Sequence, residues 1–176
     1  MSEPQPASRH HPHRRAAPER AGVWIITVSD TRTLETDSGG ALAAELLAGA
    51  GHGVVSREIV KDDAPAIAAA LRAALARDGV DAVLLTGGTG IAPRDVTPEA
   101  VEPLLERVVP GFGELFRALS YQEIGSAAIL SRALAGLARG RVVVALPGSR
   151  GAVQLALEKL VLPELGHLLA EARKAR

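Results

Sequence analysis

The sequence predicts an α/β fold in three layers, a mostly parallel sheet with helices on both faces, and three observations point to it. Short runs of β-branched residues alternate along the chain with longer stretches of helical spacing, which is the order expected when each strand is followed by a crossover helix. Gly, Asp and Ser cluster directly after the strand-like runs, where α/β sheets place their ligand loops. The apolar content is high at 47% but holds only two Phe, one Trp and one Tyr, so the core has to be aliphatic.

Residues 23–28 (VWIITV) form the first strand-like run, and SGGALAAELLAGAG over 38–51 has helical spacing that stops at glycine. A second strand follows at 54–60 (VVSREIV). Asp63 then precedes Ala64 and Pro65 at the head of a helix running toward Gly79, with the carboxylate as its cap and proline in its first turn. DAVLLT at 81–86 is the third strand. Thr97 and Pro98 start another helix, 111–125 (GFGELFRALSYQEIG) reads as one more, RVVVAL at 141–146 is a late strand, and an amphipathic helix closes the chain to about Ala172.

The 176 residues suit one domain at 21–176, large enough to bury roughly 70% of the surface its unfolded chain exposes. The first twenty residues, with four Arg, four Pro and His10, His11 and His13, lack apolar periodicity and read as a disordered basic tail. No apolar stretch follows that would make it a signal peptide. The three histidines could hold a stray transition metal, although solvated composition explains them as well. A formal net charge of +0 gives no overall attraction to nucleic acid or an anionic membrane, and no run of 18 apolar residues spans one. Cysteine is absent, which rules out disulfides and thiolate metal sites and fits a reducing, cytoplasmic location.

Three loops should converge at the carboxyl ends of the strands: 29–33, the glycine loop after the third strand, and 146–151. The glycine loop reads TGGTGIAPRD over 86–95. It has no Lys-Ser/Thr at Walker spacing, and Pro93 stands where a dinucleotide fingerprint requires its third glycine. Gly87, Gly88 and Gly90 nonetheless allow a backbone that can approach an anion closely. Asp95 lies in this loop, and Asp62 and Asp63 end the second strand next to it in a parallel sheet. Asp63 is accounted for as a helix cap, whereas Asp62 caps nothing. Two carboxylates about 4 Å apart repel by roughly 4 kcal/mol at an effective dielectric of 20. Carboxylates facing phosphates therefore call for a cation between them, ordinarily Mg²⁺. Arg94 could aid a phosphate or sit in a salt bridge, and His52 and His167 read as packing or surface residues.

Taken together, TVSD (27–30) with DSG (37–39), TGGTG (86–90) with RDVTPEA (94–100), and LPGS (146–149) resemble the molybdenum-cofactor biosynthesis proteins MoaB and MogA over about residues 22–170. PGFGELFRALSYQEIG (110–125) and LSRALAG (130–136) look most like the MoaB branch. The resemblance implies the molybdopterin-binding, MogA-like fold and a molybdopterin adenylyltransferase. Such an enzyme transfers AMP from MgATP to the molybdopterin phosphate and releases pyrophosphate. Asp62 and Asp95 match the family's acidic positions and would serve catalysis and Mg²⁺. Gly87, Gly88, Thr89 and Gly90 would line the nucleotide and pterin cleft, with Ser29, Asp30, Asp37, Ser38 and Gly39 nearby. Ser120 occupies a matching polar position, and Pro147, Gly148 and Ser149 form the late loop. Ser149 stands where many members have Asn, and an N-cap role would equally explain it.

The resemblance further implies a homo-oligomer, trimer or hexamer, and a downstream molybdenum-insertion protein as consumer of the product. Two other readings remain: a non-catalytic molybdopterin-binding or cofactor-delivery protein of the MoaB type, and an assembly module with a vestigial site. Retention of Asp62 favours the enzyme.

Overall fold

The computed structural model describes residues 20–174; the basic tail expected at 1–20 lies, but for Arg20, outside the described residues. Six strands form one sheet in the order β2-β1-β3-β6-β5-β4. They are β1 (Gly22–Val28), β2 (Gly53–Val60), β3 (Ala82–Thr86), β4 (Arg107–Val108), β5 (Leu134–Ala138) and β6 (Arg141–Leu146). β2, β1, β3 and β6 pair in parallel, and β5 runs antiparallel to both β6 and β4. Six helices accompany them: α1 (Ser38–Gly49), α2 (Ala64–Ala76), α3 (Thr97–Val101), α4 (Pro110–Ile124), α5 (Arg150–Ala156) and α6 (Leu162–Ala172).

Alternation along the central strands divides the core into two layers. Val23 and Ile25 of β1, Leu84 of β3 and Val144 of β6 pack with Leu47, Phe116, Val153, Leu157 and Leu165 on one face. Their neighbours Ile26, Val83, Leu85 and Val143 pack with Ile67 and Leu71 of α2 and Val101 of α3 on the other. Strands buried on both faces read as continuous apolar runs, which is why β1, β3 and β6 stand out in the sequence.

Three expectations need correction. The strands β4 and β5 add to those the sequence pattern predicts; β5 is LAGLA, without a β-branched residue, and turns into β6 through Arg139 and Gly140, at φ of 52° and 72°. The closing helix is not continuous. A π-helical turn at Leu157–Val161 separates α5 from α6, because Pro163 has no N–H for the ladder and its ring crowds the carbonyl four residues back. The α2 helix stops at Ala76 rather than running to Gly79. Its cap is as expected: the Asp63 carboxylate accepts the N–H of Ala66 at 3.0 Å. Among the described residues no helix is long and apolar enough to cross a membrane.

Candidate active site

Parallel order sets β1, β2, β3 and β6 side by side with their carboxyl ends together, so the loops that leave them meet. Two clefts result, and the glycine loop and the 147–149 loop form the wall between them. A polar cleft of about 210 Å³ is lined by Ser29, Asp30, Asp62, Gly87, Gly88 and Asp95, with Arg32, Arg94 and Gly148 at its sides. An apolar cleft of about 280 Å³ is lined by Thr89, Gly90, Phe116, Ser120, Pro147 and Ser149 among others. The sequence-derived residues thus separate: Asp30, Asp62 and Asp95 line one cleft, while Thr89 and Ser120 line the other.

In the polar cleft Asp62 follows β2, and its backbone N–H donates to Asp30 Oδ1 at 3.2 Å. Asp62 Oδ1 is buried with no hydrogen-bond partner. Burial raises its pKa, and the negative charges of Asp95 and Asp30 push the same way, against the Val96 N–H and the Arg94 cation. Asp95 is less free: its Oδ2 accepts the Ala92 N–H at 2.9 Å and braces its own loop. Ser29 also shapes backbone, its Oγ accepting from Arg32 N at 3.2 Å.

Asp37, Ser38 and Gly39 line neither cleft. Asp37 is 2% exposed and caps α1 by accepting the Gly40 N–H at 2.9 Å. Its other oxygen accepts from Thr27 Oγ1 at 2.7 Å and from Arg57 Nη2 at 3.3 Å. Thr86 Oγ1 donates in turn to Thr27 Oγ1 at 3.3 Å, so the network continues under the polar cleft. Ser38 offers its carbonyl to Arg150, and Gly39 lies against the Gly148 carbonyl. Ser149 caps α5, its Oγ accepting the Ala152 N–H at 3.2 Å.

The glycine loop keeps to its path through close contacts. Gly87 has φ of 101°, and a side chain there would meet the Val28 carbonyl at 2.3 Å. Thr97 donates its hydroxyl to the Gly87 carbonyl at 2.9 Å and its N–H to the Gly88 carbonyl at 3.0 Å. Arg132, which sequence reasoning gave no role, holds the next part of the loop: its N–H donates to the Thr89 carbonyl at 2.8 Å and its Nε to the Gly90 carbonyl at 2.7 Å. Only the LSRALAG stretch hinted at it. Of the histidines, His52 Nδ1 accepts the Ala21 N–H, and His167 sits between Glu164 and Glu171 on α6, away from both clefts.

A family model described as a probable molybdopterin binding domain matches residues 24–167. Molybdenum cofactor biosynthesis protein B of Halalkalibacterium halodurans is 52% identical over 165 residues, 93% of this chain and 97% of the relative. A crystal structure of a molybdenum cofactor biosynthesis protein B superposes with a TM-score of 0.87 at 54% identity, covering 90% of this chain and 99% of the other. The tungsten cofactor synthesizing protein MoaB from Pyrococcus furiosus superposes at 0.81 with 41% identity, over 90% of this chain and all of that one.

Proposed function

Since the chain belongs to the molybdenum cofactor biosynthesis protein B family, whose members serve the making of that cofactor, we propose that it is a molybdopterin adenylyltransferase. In this reaction a terminal phosphate oxygen of molybdopterin attacks the α-phosphorus of ATP. The bond from that phosphorus to the bridging oxygen breaks, and pyrophosphate leaves with the electron pair. Such a transfer needs little covalent help and much positioning of charge.

The observation that carries the reading is Asp62 Oδ1, a buried carboxylate oxygen without a partner in the polar cleft. A charge left so in a protein interior is costly unless something comes to meet it. Asp62 and Asp95 fit Mg²⁺, which is commonly held by one or two carboxylates together with substrate phosphates. When bound, Mg²⁺ would neutralise phosphate charge as it develops. Asp62 and Asp95 would hold it, and Gly87 and Gly88 let the phosphates lie close to the loop. Arg94 adds a positive charge at the cleft edge. The apolar cleft suits a flat ring, with Thr89 and Ser120 as its polar contacts and Pro147 and Ser149 at its rim. Asp30 and Ser29 position the first loop, Gly148 abuts the glycine loop, and Asp37, Ser38 and Gly39 support the floor from below.

Leu115, Tyr121 and Ile124 of α4, with Ile129 and Leu130 just after it, are apolar and exposed. Such a face supports a homo-oligomer, trimer or hexamer, in a cytoplasmic pathway whose next member inserts molybdenum.

One observation favours a second reading, a molybdopterin-binding or delivery protein without catalysis. Asp95 Oδ2 is already engaged by the Ala92 N–H. Pyrophosphate release from MgATP in the presence of molybdopterin separates the two. Release that is lost in Asp62→Asn is expected of the enzyme; molybdopterin binding with no release from the native protein would leave only the carrier.

A further inference from the structure

Four consecutive carbonyls of the glycine loop, those of Gly87, Gly88, Thr89 and Gly90, accept hydrogen bonds from just two residues: Thr97 Oγ1, Thr97 N, Arg132 N and Arg132 Nε. All peptide bonds of the described residues are trans. In a trans peptide the N–H points opposite to the carbonyl it is conjugated with. Fixing these four oxygens therefore fixes the N–H groups of Gly88, Thr89, Gly90 and Ile91 in the opposite sense. Among the described residues, the N–H groups of Gly88, Thr89 and Gly90 meet no acceptor. Unpaired backbone N–H groups at a cleft wall can attract anions, and Gly88 carries one at the polar cleft.

We infer that Arg132 is a positioning residue: Thr97 fixes the first half of the glycine loop, and Arg132 holds the second half, from Thr89 to Asp95, so that Asp95 and the loop backbone keep their place at the polar cleft. The inference rests on the reading of the polar cleft as a phosphate site. Arg132 has the geometry for the task. Besides Gly90 it reaches the Asp95 carbonyl through Nη2, at 2.5 Å, so its planar fork spans the second half of the loop. Its Nη1 is paired with the Glu99 carboxylate on α3. The pairing lowers the pKa of Glu99. Arg132 thus ties the turn before β5 to the glycine loop and the head of α3, which lie more than thirty residues earlier in the chain. A lysine could not replace it, since one ammonium group lacks the fork that reaches Gly90, Asp95 and Glu99 at once. Arg132 lines neither cleft, so it acts through the backbone and not by contact.

The test compares the native protein with Arg132→Ala, Arg132→Lys and Glu99→Gln. MgATP affinity is read by calorimetry, and the backbone ¹H–¹⁵N resonances of Gly87, Gly88 and Gly90 report the loop. Arg132→Ala is expected to weaken MgATP by roughly 10-fold, the scale of one charge-assisted hydrogen bond lost from the loop's support. It should shift all three glycine resonances, and added guanidinium should restore part of the affinity and return the resonances toward native. Arg132→Lys should lie near the alanine variant, and Glu99→Gln should give a smaller loss in the same direction. MgATP affinity in Arg132→Ala within about twofold of native, or unshifted glycine resonances, would overturn the inference. If the alanine variant does not fold, unshifted resonances in both of the others overturn it. A native protein that binds no MgATP sinks the nucleotide reading, while the glycine resonances still decide whether Arg132 orients the loop.

Discussion

Asp62 Oδ1 lies 2.8 Å from the point where a Cβ on Gly88 would stand. The carboxylate and the glycine loop are therefore in contact only because Gly88 has no side chain. The same Cβ would come within 2.4 Å of Thr97 Oγ1, and φ at Gly88 is 63°. Gly88→Ala should accordingly destabilise the fold by about 1–3 kcal/mol and abolish nucleotide binding, as read by thermal unfolding and calorimetry. Gly49→Ala is the contrasting case. Its Cβ would meet nothing within 4 Å at the end of α1, and a gain of about 0.5–1 kcal/mol is expected. Equal effects at the two glycines would show that Gly88 is a mere turn.

Legibility in the sequence followed how local each cause was. β1, β3 and β6 carry dense Val, Ile and Leu, and Asp63 caps a helix three residues away, so short windows suffice for them. The two-residue β4 exists because Leu137 and Gly136 lie opposite Arg107 and Val108, a cause outside any window that contains it. Asp62 was legible by elimination, since its neighbour was the cap. Arg132 was not: its acceptors are carbonyls 42 and 37 residues away, and a backbone acceptor leaves no mark on residue identity. Asp37 shows a further limit. A motif position beside serine and glycine suggests a ligand contact, and only burial reveals that Thr27, Gly40 and Arg57 have already taken its oxygens.

That network makes Asp37→Ala a folding variant. Truncation would remove the cap of α1 and leave Arg57, whose Nε is already buried without a partner, facing no charge. The expected loss is about 3–5 kcal/mol, measured from the urea midpoint. A variant as stable as the native protein, with binding lost, would instead place Asp37 in direct contact with substrate.

His52 predicts a pH dependence at the opposite end of the sheet. Its Nδ1 accepts the Ala21 N–H at 3.2 Å, and burial lowers its pKa below the usual 6.5. The unfolded chain takes up this proton as pH falls through 6.5, while the folded chain resists until lower pH. Stability from this residue is thus complete above about pH 6.5 and declines on acidification toward the folded value. His52→Gln cannot titrate and can still accept from Ala21. The variant should show a flatter dependence of Tm on pH between about 7 and 5; identical slopes in the two proteins would exclude His52 as the cause.

Asp62→Asn should separate stability from function. The folded protein raises the pKa of Asp62 above 3.8, chiefly by burial and then through Asp95 and Asp30. A raised carboxylate favours folding while protonated, and this contribution is lost as pH rises through the folded value. At neutral pH the native protein without cation or nucleotide therefore bears a charge its cleft disfavours, and asparagine removes it. The variant should be more stable at pH 7 by up to about 1 kcal/mol, with the gain vanishing near pH 3.5. Mg²⁺ with pyrophosphate should reverse the order, stabilising the native protein by linkage and leaving the variant unmoved. Thermal unfolding with and without both ligands reads this directly. A variant less stable than native at pH 7 without ligands would mean that the Asp62 carboxylate is held by the fold, and not kept for a cation.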